Sequence, residues 1–151
     1  MANPNTASPV DPYELRRFVQ AQETTYDRAL AEFRSGQKRT HWMWFIFPQF
    51  HGLGLSATSR QYAIGTPAEA NAYLSHPVLG PRLLECAEAA LASERSAAMV
   101  FGSPDDLKLR SCATLFAHVS DPGSVFERLL DKHFSGEPDD RTIHLVSKDE
   151  G

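Results

Sequence analysis

The sequence predicts an all-α fold, a compact single-domain helical bundle of about seven helices joined by short loops. Three observations support this prediction. Four places in the chain put a helix-capping residue directly before a proline. Apolar side chains recur at three- and four-residue steps after each of these places, which is the period of an amphipathic helix. No stretch of useful length alternates apolar and polar residues, and no Asn-Gly or Asp-Gly turn is present.

The four capping signals begin at Asp11, Thr66, Ser103 and Asp121. Each side chain can accept hydrogen bonds from free helical N–H groups, and the proline that follows suits the first helical position. The apolar periods then predict helices over residues 12–34, 67–75, 77–93, 97–101, 104–119 and 122–134. A last piece over residues 139–147 is expected to be a short helix capped by Asp139, with a lone extended segment as the alternative.

Length, charge and cysteine usage indicate a single cytoplasmic domain. We expect a disordered tail over residues 1–10, one helical domain over residues 11–147 and a short tail over residues 148–151. The net charge of −4, with mixed signs throughout, argues against general nucleic-acid or membrane-surface binding. No apolar run is long enough to span a membrane. Cys86 and Cys112 have neither a CxxC nor a metal spacing and are expected to be buried, reduced thiols.

Residues 38–56 break the regular pattern of capped amphipathic helices. Both tryptophans lie there, together with Phe45, Phe47 and Phe50. A helix over residues 42–47 would be apolar on every side and is therefore expected to be buried, with Pro48 ending it. One interpretation of the segment is a central core helix followed by a tight turn. The other interpretation is the wall of a binding pocket.

In the pocket interpretation, Trp42 or Trp44 offers a flat face to a base or a sugar, and Lys38, Arg39 or His41 meets an anionic group. The glycine loop that follows permits positive φ or close backbone approach, and its N–H groups are suited to cradle a phosphate. A small anionic ligand is therefore the partner that this segment favours.

A second candidate lies on the helix predicted to begin at Pro104. Asp106, Arg110, Ser111 and Thr114 can share one helix face through three- and four-residue steps. This face is either the outside of an ordinary amphipathic helix with an Asp106–Arg110 surface pair, or the pocket wall opposite the tryptophans. The chain has no GxSxG, HExxH or P-loop motif, and its six histidines show no ligand spacing, so neither a metal nor a cofactor is expected.

The chain resembles a known family over nearly its whole length after the tail. QKRTHWMWFIFPQ at residues 37–49, followed by GLGLS at residues 52–56, closely resembles the signature of the bacterial domain-of-unknown-function family eighteen-ten. Shorter matches are FVQAQ at 18–22, HPVLG at 76–80 and DLKLRS at 106–111. The resemblance implies a small, mainly α-helical fold and no established activity. Members are often mislabelled calpastatin, although a helical domain has none of the disordered, repeat-borne character of that inhibitor.

Two functional hypotheses stay open on the sequence. A fold-level likeness to the NADAR family, which acts on ADP-ribose conjugates, favours a domain that binds or hydrolyses a nucleotide-type, ADP-ribose-like ligand. His41 or Asp106 is then the acid–base candidate. The expected ligand-binding residues are Lys38, Arg39, Trp42, Trp44, Gln49, Gly52, Gly54, Ser56, Arg110 and Ser111. The alternative is a non-catalytic binding or protein-interaction module with the aromatic segment as its core.

Overall fold

Helices make up most of the chain that the structure describes. The computed structural model describes residues 11–150, and ten helices lie within that range. They are α1 (Arg16–Glu23), α2 (Tyr26–Ser35), α3 (Met43–Ile46), α4 (Ala57–Gln61), α5 (Pro67–Ser75), α6 (Leu79–Ala92), α7 (Ala97–Phe101), α8 (Asp105–His118), α9 (Val125–Phe134) and α10 (Asp140–Glu150). The tail expected over residues 1–10 lies outside the described residues, as does residue 151.

The all-α class is confirmed, but the prediction of about seven helices is wrong. The first predicted helix divides at Thr24 and Thr25, where two β-branched residues stand together and the Thr25 hydroxyl donates to the carbonyl of Ala21. β-Branched residues have a low helix propensity, and the threonine hydroxyl competes with the backbone for hydrogen bonds. The short helix α4 was also not expected. Over residues 11–150 the only β-type pairing is an isolated parallel bridge between Phe50 and Ile64.

The capping signal at Thr66 works as predicted. Its hydroxyl accepts a hydrogen bond of 3.1 Å from the N–H of Glu69, and Pro67 occupies the first turn of α5. Asp11 also accepts bonds from backbone N–H groups, those of Leu15 and Arg16, but helix α1 begins only at Arg16. The predicted start at Pro12 is therefore wrong.

The two other predicted starts are displaced as well. Ser103 does not cap α8, which begins at Asp105 without a side-chain cap. Asp121 does not cap α9 either, because Ser124 does so by accepting a bond of 3.3 Å from the N–H of Glu127. At the end of the chain, Asp139 caps α10 as expected, and this helix continues beyond residue 147.

A single apolar cluster fills the centre of the bundle. Helix α6 packs against α2, α5 and α9. Helix α8 packs against α7, α9 and α10, and α1 packs against α3. The largest fully buried side chains are Trp42, Tyr73, Phe18, Phe47, Phe50, Phe116 and Phe126. Leu84 and Leu107, which the helical periods place inward, are instead exposed.

The state of the two cysteines agrees with the prediction from the sequence. Both cysteines are buried, free thiols, and burial raises the pKa of Cys86 to about 12 and that of Cys112 well above its usual value. Such thiols are poor nucleophiles, because the thiolate is the reactive form. In the described part of the chain, no helix is long and apolar enough to cross a membrane.

The two capping signals at Thr66 and Ser103 give different expected effects on stability. Thr66→Ala removes the bond to the N–H of Glu69 and should lower the free energy of unfolding by about 1 kcal/mol. Ser103→Ala removes no cap and should change that free energy by less than about 0.5 kcal/mol. Urea denaturation of both variants checks this difference, and equal losses would contradict the assignment of the caps.

Candidate ligand-binding site

The aromatic segment of residues 38–56 divides into a buried part and a part that lines pockets. Trp42 is 1% exposed, and its ring centroid lies 5.1 Å from that of Phe33, 6.4 Å from Phe47 and 6.3 Å from Phe101. The core interpretation therefore describes Trp42. Trp44, two residues further on, is only half-buried and forms a wall of two neighbouring pockets.

The carboxylate of Glu32 holds the start of this segment in place. It accepts hydrogen bonds from the N–H of Arg39 at 2.7 Å and from the Nε1–H of Trp42 at 2.9 Å. It also accepts bonds from both the N–H (3.1 Å) and the hydroxyl (2.6 Å) of Thr40. These four donors stand within ten residues of Glu32, so one buried carboxylate fixes the whole turn between α2 and α3.

The hydrogen bonds also keep Glu32 ionised although the residue is buried. Burial alone raises the pKa of a carboxyl group. The bonds from Thr40, from the Arg39 N–H and from Trp42 outweigh this effect and lower the pKa of Glu32 from 4.5 to about 2. The turn therefore depends on a carboxylate that stays charged far below neutral pH.

The first pocket beside Trp44, the glutamine pocket, has a volume of about 350 Å³. Its walls are Trp44, Gln49, Phe50, His51, Gly52, Gly54, Leu55, Ser59, Arg60 and Ala63. Gln49 is 4% exposed, and its amide Nε2 has no hydrogen-bond partner among the described residues. The Gln49 carbonyl accepts a bond of 2.9 Å from the N–H of Ile64, which fixes the backbone behind this amide.

Gly54 is required by the close packing of the glutamine pocket. A Cβ atom at this position would lie 2.6 Å from the Cβ of Ser59 and 2.8 Å from Cη2 of Trp44. Real Cβ atoms do not approach other carbons so closely, and an added methyl group would force the neighbours apart. The glycine thus lets the backbone at residue 54 lie close to both helix α4 and the edge of the indole.

The second pocket, the lysine pocket, has a volume of about 110 Å³ and also uses Trp44 as a wall. Lys38, His41, Trp42, Met43, Phe45, Thr58, Asp105 and Lys108 complete it. The Asp105 carboxylate pairs with Lys38 Nζ at 2.9 Å and with Lys108 Nζ at 3.1 Å. Burial raises the pKa of Asp105, but the two ammonium groups outweigh this effect and lower it below its usual value.

Several other expected site residues have structural partners near these pockets. Ser56 caps α4 by accepting a bond of 3.1 Å from the N–H of Ser59. Gly52 has a positive φ of 93°, and its carbonyl accepts a bond of 3.1 Å from Arg141. The side chain of Arg39 is exposed, and Arg39 contributes its backbone N–H to the Glu32 carboxylate.

The expected residues of α8 do not converge on the tryptophans. The Nε–H of Arg110 donates to the carbonyl of Glu137 at 2.9 Å, so the predicted Asp106–Arg110 surface pair does not form. The hydroxyl of Ser111 donates to the carbonyl of Leu107 in its own helix. The Oδ1 atom of Asp106 is buried and has no hydrogen-bond partner in the part of the chain that the structure describes, but Asp106 lines neither pocket.

Sequence reasoning missed five residues of this region: Glu32, His51, Arg60, Asp105 and Lys108. Glu32 carried a usable signal, because it lies three residues after Ala29 and next to Phe33, on the apolar side of its helix. A carboxylate in that position needs strong hydrogen-bond donors. Asp105 and Lys108 carried no comparable signal, since charged residues near a helix start are ordinary.

A larger cleft of about 720 Å³ lies elsewhere, near α2 and α6, and is a weaker candidate. Its charged side chains are exposed, and several are already paired: Arg34 with Glu85 at 3.9 Å, and Arg95 with the carbonyl of Gly36 at 3.0 Å. Among the described residues, no group of three or more His, Cys, Asp or Glu side chains could hold a metal ion. The two pockets at Trp44 are therefore stronger candidates than this cleft.

Comparison with known proteins identifies the family. A family model described as "Protein of unknown function (DUF1810)" matches residues 12–146. The chain belongs to the DUF1810 family. The resemblance seen in the tryptophan motif is thus confirmed, and the DUF1810 match extends from the region before α1 into α10.

A solved structure agrees with this DUF1810 assignment. The crystal structure of the conserved hypothetical protein Rv1873 from Mycobacterium tuberculosis is 48% identical in sequence, with a TM-score of 0.89. The match covers 91% of this chain and 99% of that one. No curated protein matches the chain. Neither the family description nor the name of the mycobacterial protein states an activity.

Glu32 gives this DUF1810 domain an expected dependence of stability on pH. Because the pKa of Glu32 is lowered by folding, its contribution is complete above about pH 4.5 and is lost as the pH falls towards 2. The shift corresponds to about 3 kcal/mol. Glu32→Gln should therefore lower the free energy of unfolding by about this amount at pH 7, and by much less near pH 2.

Urea denaturation between pH 7 and pH 2 measures this effect. Glu23→Gln is the matched control, because Glu23 is exposed on the neighbouring helix α1 and should change stability by less than about 0.5 kcal/mol. Parallel pH profiles of the wild-type protein and Glu32→Gln would show that the carboxylate does not hold the turn.

Proposed function

We propose that this domain binds a nucleotide-type, ADP-ribose-like ligand in the glutamine pocket. The observation that carries the proposal is the buried Gln49 amide beside Trp44, whose Nε2 has no hydrogen-bond partner within residues 11–150. A buried N–H group without a partner costs about 1–3 kcal/mol, so such groups are rare in folded proteins. A ligand that supplies an acceptor accounts for this donor.

The rest of the pocket suits a heterocyclic base. Its volume of about 350 Å³ lies within the range of small-molecule sites, which runs from roughly 300 to 1,000 Å³. Stacking of a base on an aromatic side chain contributes about 1–3 kcal/mol, and Trp44 offers such a surface in the wall. The Gln49 amide would then donate to a ring nitrogen or a carbonyl on the edge of the base.

Cationic groups at the same pocket favour a ligand that also carries phosphate. Arg60 lines it, and Arg141 reaches its edge through the bond to the Gly52 carbonyl. The imidazole of His51 also lines the pocket and can donate a hydrogen bond. Guanidinium groups match the geometry of phosphate oxygens and form charge-assisted hydrogen bonds with them. A base joined to phosphate would engage the indole, the amide and these cations together.

The proposal is one of binding and includes no hydrolytic step. Of the two expected acid–base candidates, His41 lines the lysine pocket and Asp106 lines neither pocket. The protein-interaction alternative draws on Leu55, which is 83% exposed at the edge of the glutamine pocket. A single exposed leucine is common on monomeric proteins, so the unpaired amide favours the small ligand.

Isothermal titration with ADP-ribose, AMP and adenosine tests the proposal. We expect saturable binding of at least one of them, and Gln49→Met should weaken it about tenfold, the effect of losing one hydrogen bond of about 1.4 kcal/mol. The thermal stability of the free variant should be unchanged or higher, since the unpaired buried donor is gone.

Gln20→Met is the matched control, because Gln20 is exposed on α1 outside the pocket. This variant should bind as the wild-type protein does. Absence of heat with all three ligands at millimolar concentration would overturn the proposal. A Gln49→Met variant that loses stability but keeps its affinity would show that the amide has a structural role instead.

A further inference from the structure

We propose that the lysine pocket is a separate binding site for a phosphate group, held between Lys38 and Lys108. It extends the proposed function, which concerns the glutamine pocket. Trp44 forms a wall of both pockets, so one ligand with a base and a phosphate has a place for each group. The phosphate site itself rests on its own charges, donors and size.

The charges in the lysine pocket do not cancel. Two ammonium groups, Lys38 and Lys108, face a single carboxylate, Asp105. Asp105 is ionised, because both ammonium groups favour its charged form. Among the residues that line the pocket, one positive charge is therefore left over, and the side chains are only 7% exposed for Lys38 and 24% for Lys108. The ionised Glu32 carboxylate lies outside this lining and is occupied by its four hydrogen bonds. A partly buried charge is screened weakly by salt and attracts an anion strongly.

Within the described part of the chain, neither lysine uses all three N–H donors of its ammonium group in hydrogen bonds. An ammonium group has three N–H donors. Lys38 uses two of them, one to Asp105 at 2.9 Å and one to the carbonyl of Thr40 at 2.6 Å. Lys108 makes one bond to Asp105 at 3.1 Å, and its Nζ otherwise lies 4.4 Å from the ring centroid of Trp44. Thr58 lines the same pocket.

The size of the pocket selects the kind of anion. At about 110 Å³ the lysine pocket is much smaller than the glutamine pocket of about 350 Å³. This space suits a compact tetrahedral phosphate better than a heterocyclic base. Lysine binds phosphate as a compact point charge with rotatable donors, so two lysines around one carboxylate suit free phosphate and the phosphate of a nucleotide alike.

Tryptophan fluorescence gives a direct measure of phosphate binding. Lys108 lies over Trp44, so phosphate that draws this ammonium away should change the emission of that indole. Inorganic phosphate titrated at constant ionic strength should give a saturable change. Trp44→Phe, which leaves Trp42 as the emitting residue, should remove the change. If wild-type emission shows no saturable response up to tens of millimolar phosphate, and titration calorimetry shows no heat, the inference is overturned.

Variants of Lys108 locate the site. Lys108→Met keeps the apolar stem and should weaken phosphate binding at least tenfold, whereas Lys108→Arg keeps the charge and should retain most of it. Lys148→Met is the matched control, because Lys148 is exposed on α10 and lines neither pocket, and it should bind as the wild-type protein does. Equal affinities of Lys108→Met and Lys148→Met, in variants with unchanged thermal unfolding, would place the phosphate elsewhere and contradict the inference.

Four ligands separate this inference from the proposed function. If phosphate binds, adenosine gives no heat, and AMP and ADP-ribose bind no more tightly than phosphate, the result supports the lysine pocket and contradicts the base site. If adenosine binds and phosphate does not, the result supports the base site and contradicts the lysine pocket. If AMP binds more tightly than either, and this gain is lost in Lys108→Met but kept in Lys148→Met, one ligand occupies both pockets and both proposals hold.

Discussion

One buried carboxylate organises the region on which the candidate site is built. Glu32 accepts four hydrogen bonds from residues that follow it by seven to ten positions. This contact closes the turn between α2 and α3, holds the indole of Trp42 in the core and thereby sets the direction in which α3 leaves it. Trp44 and Lys38, which flank that indole in sequence, take their positions from the same turn. The two pockets are thus a consequence of where a single acid is buried.

The helical class and many of the helices could be predicted because the signals are local. The start of α5 at Thr66 depends on residues within one turn, and the sequence contains them all. The start of α8 does not follow this rule, since there the N–H of Asp106 donates to the carbonyl of Gly102 and the preceding serine has no part in it. A capping residue shows where a helix can begin, whereas tertiary packing determines where the helix does begin.

The two tryptophans illustrate why the site itself was harder to predict. Trp42 stands immediately before α3 and has a non-helical backbone conformation, whereas Trp44 is the second residue of that helix. The structure buries the first in the aromatic core and leaves the second half-buried at the pockets. The amino-acid composition of the segment predicts the same role for both tryptophans. Predicting their different environments requires the direction of α3, which depends on the Glu32 contact across the turn.

The missing Cβ at Gly54 has a consequence for how this site can vary among relatives that share its geometry. Any side chain at residue 54 would collide with Ser59 and Trp44, so the floor of the glutamine pocket has one permitted residue. The next residue, Leu55, is 83% exposed and meets no such barrier. Evolution can thus change the entrance of the pocket freely while its depth stays constant, and differences in ligand preference within the family should arise at position 55 rather than at position 54.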